Sequence, residues 1–559
     1  MEQSWPLLRR LWLTCALAAC VSVWLAAAPA EPLLAGAAMR NDVAAVRALL
    51  KRAADVDAAQ GDGMTALHWA AMNDNVELAR ALILAGADVK AVTRLDAYTP
   101  LLIAATNGSE PLVGELLKAG ASPNSATKNG TTGLMLAAAS GSIGAVTRLL
   151  DRGADPNARE VARGETALMF AAVNGRAAVI RLMIERHADP SVATRVVDLS
   201  KIDAPRPVLN GDRQDTNRQL VGKQGGMTAL LLAARQGNTD AVRTLLDAGA
   251  DVNQASSGDH TSPLLIATVN GHFDLTAMLL DRGGDPNLAS AAGATPLYAT
   301  VNVQWIPRSF YPQPTIQGQQ RTTYLELMAD LLAHGADPNA RLTKKLWYTG
   351  YNFDLSGVDE TGATPFWRAA QATDVAAMRL LVDWGADPTL STEVPERRTR
   401  GRGGSDFKPT NGPEPSAPIP ERPSASESPA VNPLQAAAGD GWFGNFHVNA
   451  PGGWMPSVKY LVEELGFDVN AADYKGYTSL HFAAARGDDT MILYLVSQGA
   501  NVKAVSKDGA TTADMANGHD ARVQPFPATV ALLEKLGSGN NHKCLSCGRA
   551  DGSSTSPKP

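Results

Sequence analysis

A block of about 33 residues recurs along this chain, and no other feature limits so strongly what it can fold into. Met64-Thr65-Ala66-Leu67-His68-Trp69-Ala70-Ala71 returns as Tyr98-Thr99-Pro100-Leu101-Leu102-Ile103-Ala104-Ala105. It begins again at Thr132, Thr166, Thr228, Ser262, Thr295, Thr364, Thr478 and Thr511, with spacings of 34, 33, 34, 62, 34, 33, 69, 114 and 33 residues. The longest gap holds another copy at Pro433-Leu434-Gln435-Ala436-Ala437, and a degenerate first copy starts at Glu31-Pro32-Leu33-Leu34, giving about twelve units in all. The blocks also close alike: Leu149-Leu150-Asp151-Arg152-Gly153-Ala154-Asp155-Pro156-Asn157 matches Leu245-Leu246-Asp247-Ala248-Gly249-Ala250-Asp251-Val252-Asn253. A chain that repeats at this period cannot be divided into globular domains by its length of 559 residues.

Each recurring position has a physical reason. Thr at the start of a block can accept a backbone N–H and cap a helix, and Pro just after it suits the first helical position. Ala pairs such as Ala70-Ala71, Ala137-Ala138 and Ala233-Ala234 let neighbouring first helices approach closely. The Leu pair fills the core, the following Gly can take the left-handed conformation, and Asp-x-Asn supports a turn. These motifs resemble the ankyrin-repeat family over most of Glu31 to Gly537, apart from four or five insertions. The resemblance implies an all-α fold, a solenoid of stacked helix pairs joined by short β-turn or hairpin loops. Since one unit cannot bury its own apolar face, stacked neighbours must share a continuous core. His68 and His481 fall where the family motif carries its histidine and read as consensus hydrogen-bonding residues, not as bases or metal ligands.

Composition narrows the function. Fifty Lys+Arg against 56 Asp+Glu leave a formal charge of -6, which argues against generic nucleic-acid binding through phosphate neutralisation. Mean hydropathy of -0.12 excludes a polytopic membrane protein. The first thirty residues read as an export segment: Arg9-Arg10, then an apolar run from Leu11 to Ala28, then Ala28-Pro29-Ala30 as a cleavage site. Leu17-Ala18-Ala19-Cys20 offers a lipobox alternative, and the run is nearly long enough to remain as an uncleaved anchor. A periplasmic or extracellular location follows under any of these, with membrane contact only through the N-terminus. After cleavage only Cys544 and Cys547 remain, so no disulfide framework can brace the fold.

This reading divides the chain into the export segment (1–30), repeats 1–5 (31–194), an inserted loop (195–225) and repeats 6–9 with aromatic insertions (226–392). A Pro/Ser/Arg-rich loop expected to be disordered (393–431), repeats 10–12 (432–537) and a polar tail (538–559) follow. Within 393–431, Arg397-Arg398-Thr399-Arg400-Gly401-Arg402-Gly403-Gly404 reads as a solvated basic loop and not as a nucleic-acid segment. Aromatics are concentrated in the inserted region: 16 of the 31 Phe, Trp and Tyr residues lie between Trp305 and Trp454. Trp305, Phe310, Tyr311, Trp347, Tyr348, Tyr351 and Phe353 are therefore candidate partner contacts. So are Trp442, Phe443, Phe446 and Trp454, although loops that fold back to build satellite cores would use the same residues.

Cys544-Leu545-Ser546-Cys547 supplies half of a zinc site, lacks the His of a haem attachment motif, and reads as an exposed disulfide. No phosphate loop, dinucleotide fingerprint, HExxH helix or nucleophile elbow interrupts the repeats. The expectation is a non-enzymatic scaffold without a cofactor that binds a protein partner. The alternatives are a metal or thiol-redox protein acting through the tail, or an enzyme built on the insertions.

Overall fold

The computed structural model describes residues 33–201, 222–306, 315–346, 359–394, 430–439, 448–518 and 524–541. Among them lie twelve helix pairs. The helices run from 5 to 10 residues, too short to persist alone in water. Packing against the next pair is what holds them.

The described residues form two compact units, one of those up to 192 with 240–248, the other of those in 193–239 and from 249 onward. In the first, the helices Leu33–Met39, Ala66–Met72, Pro100–Thr106, Gly133–Ser140 and Ala167–Val173 pack in succession, each backed by a second helix. Ala70, Ala71, Ala104, Ala105, Ala137 and Ala138 are fully buried where these first helices meet. Leu78, Leu82, Leu112, Leu116 and Leu149 of the second helices are equally inaccessible. In the second unit the first helices stack in the same succession from Ala229–Gln236 through Thr512–Ala516, each from Pro263–Val269 onward backed by a second helix.

The capping positions perform as the sequence predicts. Thr65, Thr99, Thr132, Thr228, Ser262, Thr295 and Thr364 accept the N–H three residues on. Second helices carry their own caps, among them Asp42, Asn75, Ser142 and Asp488. Pro100, Pro263, Pro296, Pro365 and Pro433 open first helices, where the missing donor costs nothing. Successive turns interlock through Asn side chains. Asn124 accepts from Asp155 N–H at 2.9 Å and donates to Gly153 O at 3.0 Å.

The inserted stretch 195–225 differs from a plain loop at its stem. Strand β1 (Val197–Asp198) pairs antiparallel with β2 (Lys223–Gln224). Elsewhere the hairpin character of the repeat loops is reduced to isolated bridges, Ala126 with Thr132, Ala472 with Thr478 and Val505 with Thr511. Between Gln304 and Tyr324 a 3-10 turn, Ile316–Gln319, leads to a segment held by Asp274, whose carboxylate accepts from Thr322 N–H and hydroxyl at 2.8 and 2.9 Å. The second helix of repeat 10, Trp454–Lys459, continues as a π-helical turn, Tyr460–Glu464.

Candidate functional site

In the first unit, the position after the motif histidine and the one three residues later lie on the same side of each first helix. Trp69 and Met72 occupy them in repeat 2, Leu136 in repeat 4, and Phe170 and Val173 in repeat 5. Met72 is 49% exposed, and the other four are half-buried. Trp69 is held in place because its indole N–H donates to Gln60 Oε1 at 2.8 Å. Loop tips run beside these helices and are tied to one another by backbone bonds. Arg94 N–H donates to Asp62 O at 2.8 Å, Lys128 N–H to Asp96 O at 2.9 Å, and Val161 N–H to Asn129 O at 2.7 Å. The tips expose Leu95 and Val161 at 76% and 57%. In repeat 3 the equivalent positions hold Ile103, which is buried, and Thr106, which is exposed, so the accessible apolar side chains belong to repeats 2, 4 and 5.

Repeats 8 and 9 are built differently. The entire stretch from Gly362 to Asp374 is buried. Arg368 stands at the motif position that Trp69 or Phe170 fills elsewhere, yet its guanidinium is enclosed. Its Nε donates to Asn302 Oδ1 at 2.9 Å and its Nη2 to Trp305 O at 2.6 Å. Burial pushes Arg368 down and Glu360 up from their ordinary values, the latter opposed by the charges of Arg368 and Lys345. Glu360 Oε2 and Asn302 Nδ2 are buried without hydrogen-bond partners. Asp374 caps the helix Val375–Asp383 through Ala377 N–H at 3.0 Å and also accepts Trp305 Nε1–H at 2.7 Å. Trp305 meets Tyr324 edge-on at 5.8 Å, and burial followed by the Asp374 charge raises the Tyr324 hydroxyl. Ala450 N–H reaches Ala372 O at 2.9 Å, and Asn449 Nδ2 reaches Thr373 Oγ1 at 3.2 Å. The face that is open in the first unit is covered here by the chain's own inserted residues.

The sequence-predicted contacts therefore separate. Trp305 is buried, with its indole bonded inside the fold. Trp454 opens a helix, half-buried, with the Arg486 guanidinium 3.8 Å from its ring centroid. Phe310, Tyr311, Trp347, Tyr348, Tyr351, Phe353, Trp442, Phe443 and Phe446 lie outside the described residues, as do Cys544 and Cys547. Reading the repeats alone missed Arg368, Glu360, Asp374 and Tyr324. The only signal was a charged residue at Arg368 where other units carry an apolar one.

His68 and His481 are wholly buried. Thr65 N–H donates to His68 Nδ1 at 3.2 Å, while Nε2 lies 3.0 Å from Tyr98 O in the next repeat. Thr478 N–H does the same for His481 at 3.1 Å, and burial brings that imidazole down to about 4. Both belong to the packing. Among the described residues no group of three or more His, Cys, Asp or Glu side chains could hold a metal, and no helix is long and apolar enough to cross a membrane.

Models of ankyrin repeats match residues 36–83, 67–113, 101–194, 207–290 and 461–516. The human BCL-6 corepressor-like protein 1 is 35% identical over 86 residues, 15% of this chain and 4% of that protein. Protein phosphatase 1 regulatory subunit 12A of Mus musculus is 38% identical over 71 residues, 13% of this chain and 7% of the relative, and the Rattus norvegicus protein gives the same figures. The chain thus spans only 4 to 7% of the length of these relatives.

Proposed function

We propose that this chain, which belongs to the ankyrin-repeat family, is a non-enzymatic scaffold whose repeats hold another protein outside the cytoplasm. The observation that carries the reading is the open face of repeats 2 to 5. Helix caps, Ala pairs and Leu cores are committed to stacking, yet Trp69, Met72, Phe170 and Val173 remain accessible at equivalent positions. Aromatic and Met side chains on a preformed surface suit protein contact, since they bury much area for little ordering cost. A relative is named as a regulatory subunit and another as a corepressor-like protein, and non-catalytic roles of that kind agree with the reading. Saturable capture of one protein by the immobilised full chain, competed by free chain, is the expected result. It should persist in Cys544→Ser/Cys547→Ser, since the tail takes no part. Turnover of a substrate by the purified chain, or capture lost with the cysteines, would overturn it.

The inserted aromatics form a second contact region in this proposal, on the strength of their concentration between Trp305 and Trp454. Replacing Trp442, Phe443 and Phe446 by Ala should lower capture tenfold or more, about 1.4 kcal/mol, with unchanged circular dichroism. Export rests on Arg9-Arg10, the apolar run and Ala28-Pro29-Ala30. A reporter fused behind Met1 to Glu31 should cross the membrane, and terminal sequencing would distinguish cleavage after Ala30 from lipidation at Cys20 or retention as an anchor. A reporter that stays in the cytosol refutes the compartment.

A further inference from the structure

We propose that Glu360 is a pH-sensitive latch: neutral, it holds the turn 360–363 against repeats 8 and 9, and ionised, it lets that turn go. Such a latch is independent of the scaffold reading and sets how firmly the covered face is kept shut. Within the turn, Ala363 N–H donates to Glu360 O at 2.9 Å. The turn also ties two other tips together, because Gly362 N–H donates to Leu342 O at 2.7 Å and Glu393 N–H to Thr361 O at 2.7 Å. Thr364 follows directly and caps Pro365–Gln371, the first helix of repeat 9, in which every residue is buried. Whatever loosens the turn thus reaches the helix that carries Arg368.

Glu360 is 7% exposed, and its Oε2 is buried without a hydrogen-bond partner. An enclosed oxygen of that kind costs far more free energy in a carboxylate than in a neutral acid. The enclosed cation of the cluster, Arg368, is engaged elsewhere, its Nε with Asn302 Oδ1 at 2.9 Å and its Nη2 with Trp305 O at 2.6 Å. Burial is the largest influence on Glu360 and favours the neutral form; the charges of Arg368 and Lys345 oppose it, and that of Asp359 adds to it. Tyr298 faces Arg368 from the first helix of repeat 8. When Glu360 ionises, two adjustments can supply donors. Arg368 can leave Asn302 and Trp305 O, which strips two buried acceptors, or the turn can carry the carboxylate out to water. The second is the less costly, since water meets the backbone groups it frees.

The sign follows from linkage. Below the ordinary 4.5 of a Glu the released and the latched forms are both protonated, and the latch has its full strength. As pH rises, the released carboxyl gives up its proton while the latched one resists, so release becomes easier. His68 and His481, in repeats 2 and 11, respond the other way, because burial keeps their imidazoles neutral and acid works against that. Opposite slopes within one chain are the signature of the latch.

The test is amide exchange of the full chain by mass spectrometry at pH 5 and pH 8, corrected for the intrinsic exchange rate. Opening of 360–371 should be at least tenfold greater at pH 8, while Ser479–Ala485 should open more at pH 5. Glu360→Gln keeps the shape and stays neutral, so it should reduce the pH response of 360–371 to less than twofold. Asp359→Asn, whose Oδ1 can still accept from Thr361, should keep the wild-type response. Equal opening of 360–371 at both pH values in the wild-type chain overturns the latch, whether or not the variants fold. So does greater opening at pH 5, or a response that survives in a Glu360→Gln chain with unchanged circular dichroism.

Discussion

His481, which reads in sequence as a consensus hydrogen-bonding residue, ties the stability of the fold to pH. Its Nδ1 accepts a helix-capping N–H, and burial holds the imidazole near 4 where an unfolded chain titrates at the usual 6.5. Above about pH 6.5 both states are neutral and nothing is lost. Between there and about pH 4 the unfolded chain takes up a proton that the folded one resists, so stability falls as the solution becomes acid. The loss should be about 2 kcal/mol at pH 5, with His68, also depressed by burial, acting in the same direction. Denaturant midpoints at pH 7 and pH 5 check this, and His481→Gln should flatten the difference. Asp374 makes a second case. Asp374→Ala removes a helix cap and leaves the buried Trp305 N–H without its acceptor. Together these should cost about 2–4 kcal/mol, read as a lowered urea midpoint.

Among elements, motif copies that look equivalent in sequence are not equivalent in structure. Thr364 accepts the Trp367 N–H at 3.1 Å, whereas Thr166 makes no side-chain cap bond. Both are buried, so alanine removes similar packing from each. Thr364→Ala should therefore be the more destabilising by about 1 kcal/mol, and equal melting of the two variants would contradict the assignment. Core positions carry more. Leu149 is inaccessible between helices, and Leu149→Ala should cost about 2–5 kcal/mol. The ion pairs that link neighbouring second helices, Arg80 with Glu115 and Arg186 with Asp151, keep at least one partner largely in solvent and add little by comparison.

Over the whole molecule, stability should be distributed by neighbourhood, because helix pairs of this length stand only on adjacent pairs. Leu149→Ala should raise amide exchange in Glu110–Lys118 and Ala177–Glu185, whose helices pack beside its own, and leave Asp489–Ser497 unchanged. A uniform rise across all repeats in exchange mass spectrometry would argue for one cooperative block. In the first unit the same neighbourhood logic leaves one face of the first helices out of the stacking. Packing consumes one side of every pair and leaves the other to vary.

The sequence by itself determined the helix pairs, their caps and their cores, since each depends on contacts within a block or with the next block. A period of about 33 residues suffices to place Thr65 as a helix cap, Ala70 and Ala71 in the core and His68 as a hydrogen-bonding residue, while its reach to Tyr98 of the next repeat is seen only in the structure. The fate of the insertions was decided only by tertiary structure. Trp305 meets Asp374 across 69 positions, Arg368 meets Trp305 across 63, and Asn449 meets Thr373 across 76. The first is the spacing of the Thr295 and Thr364 copies, which places Trp305 and Asp374 at equivalent positions of neighbouring repeats, whereas 63 and 76 match no step of the repeat. In sequence Trp305 is a candidate partner contact, and Arg368 is a charge at a position where other copies are apolar. Both are buried because repeats 8 and 9 pack on each other through Asn302, Trp305, Tyr324 and Asp374, and such partners are chosen by packing and not by local pattern.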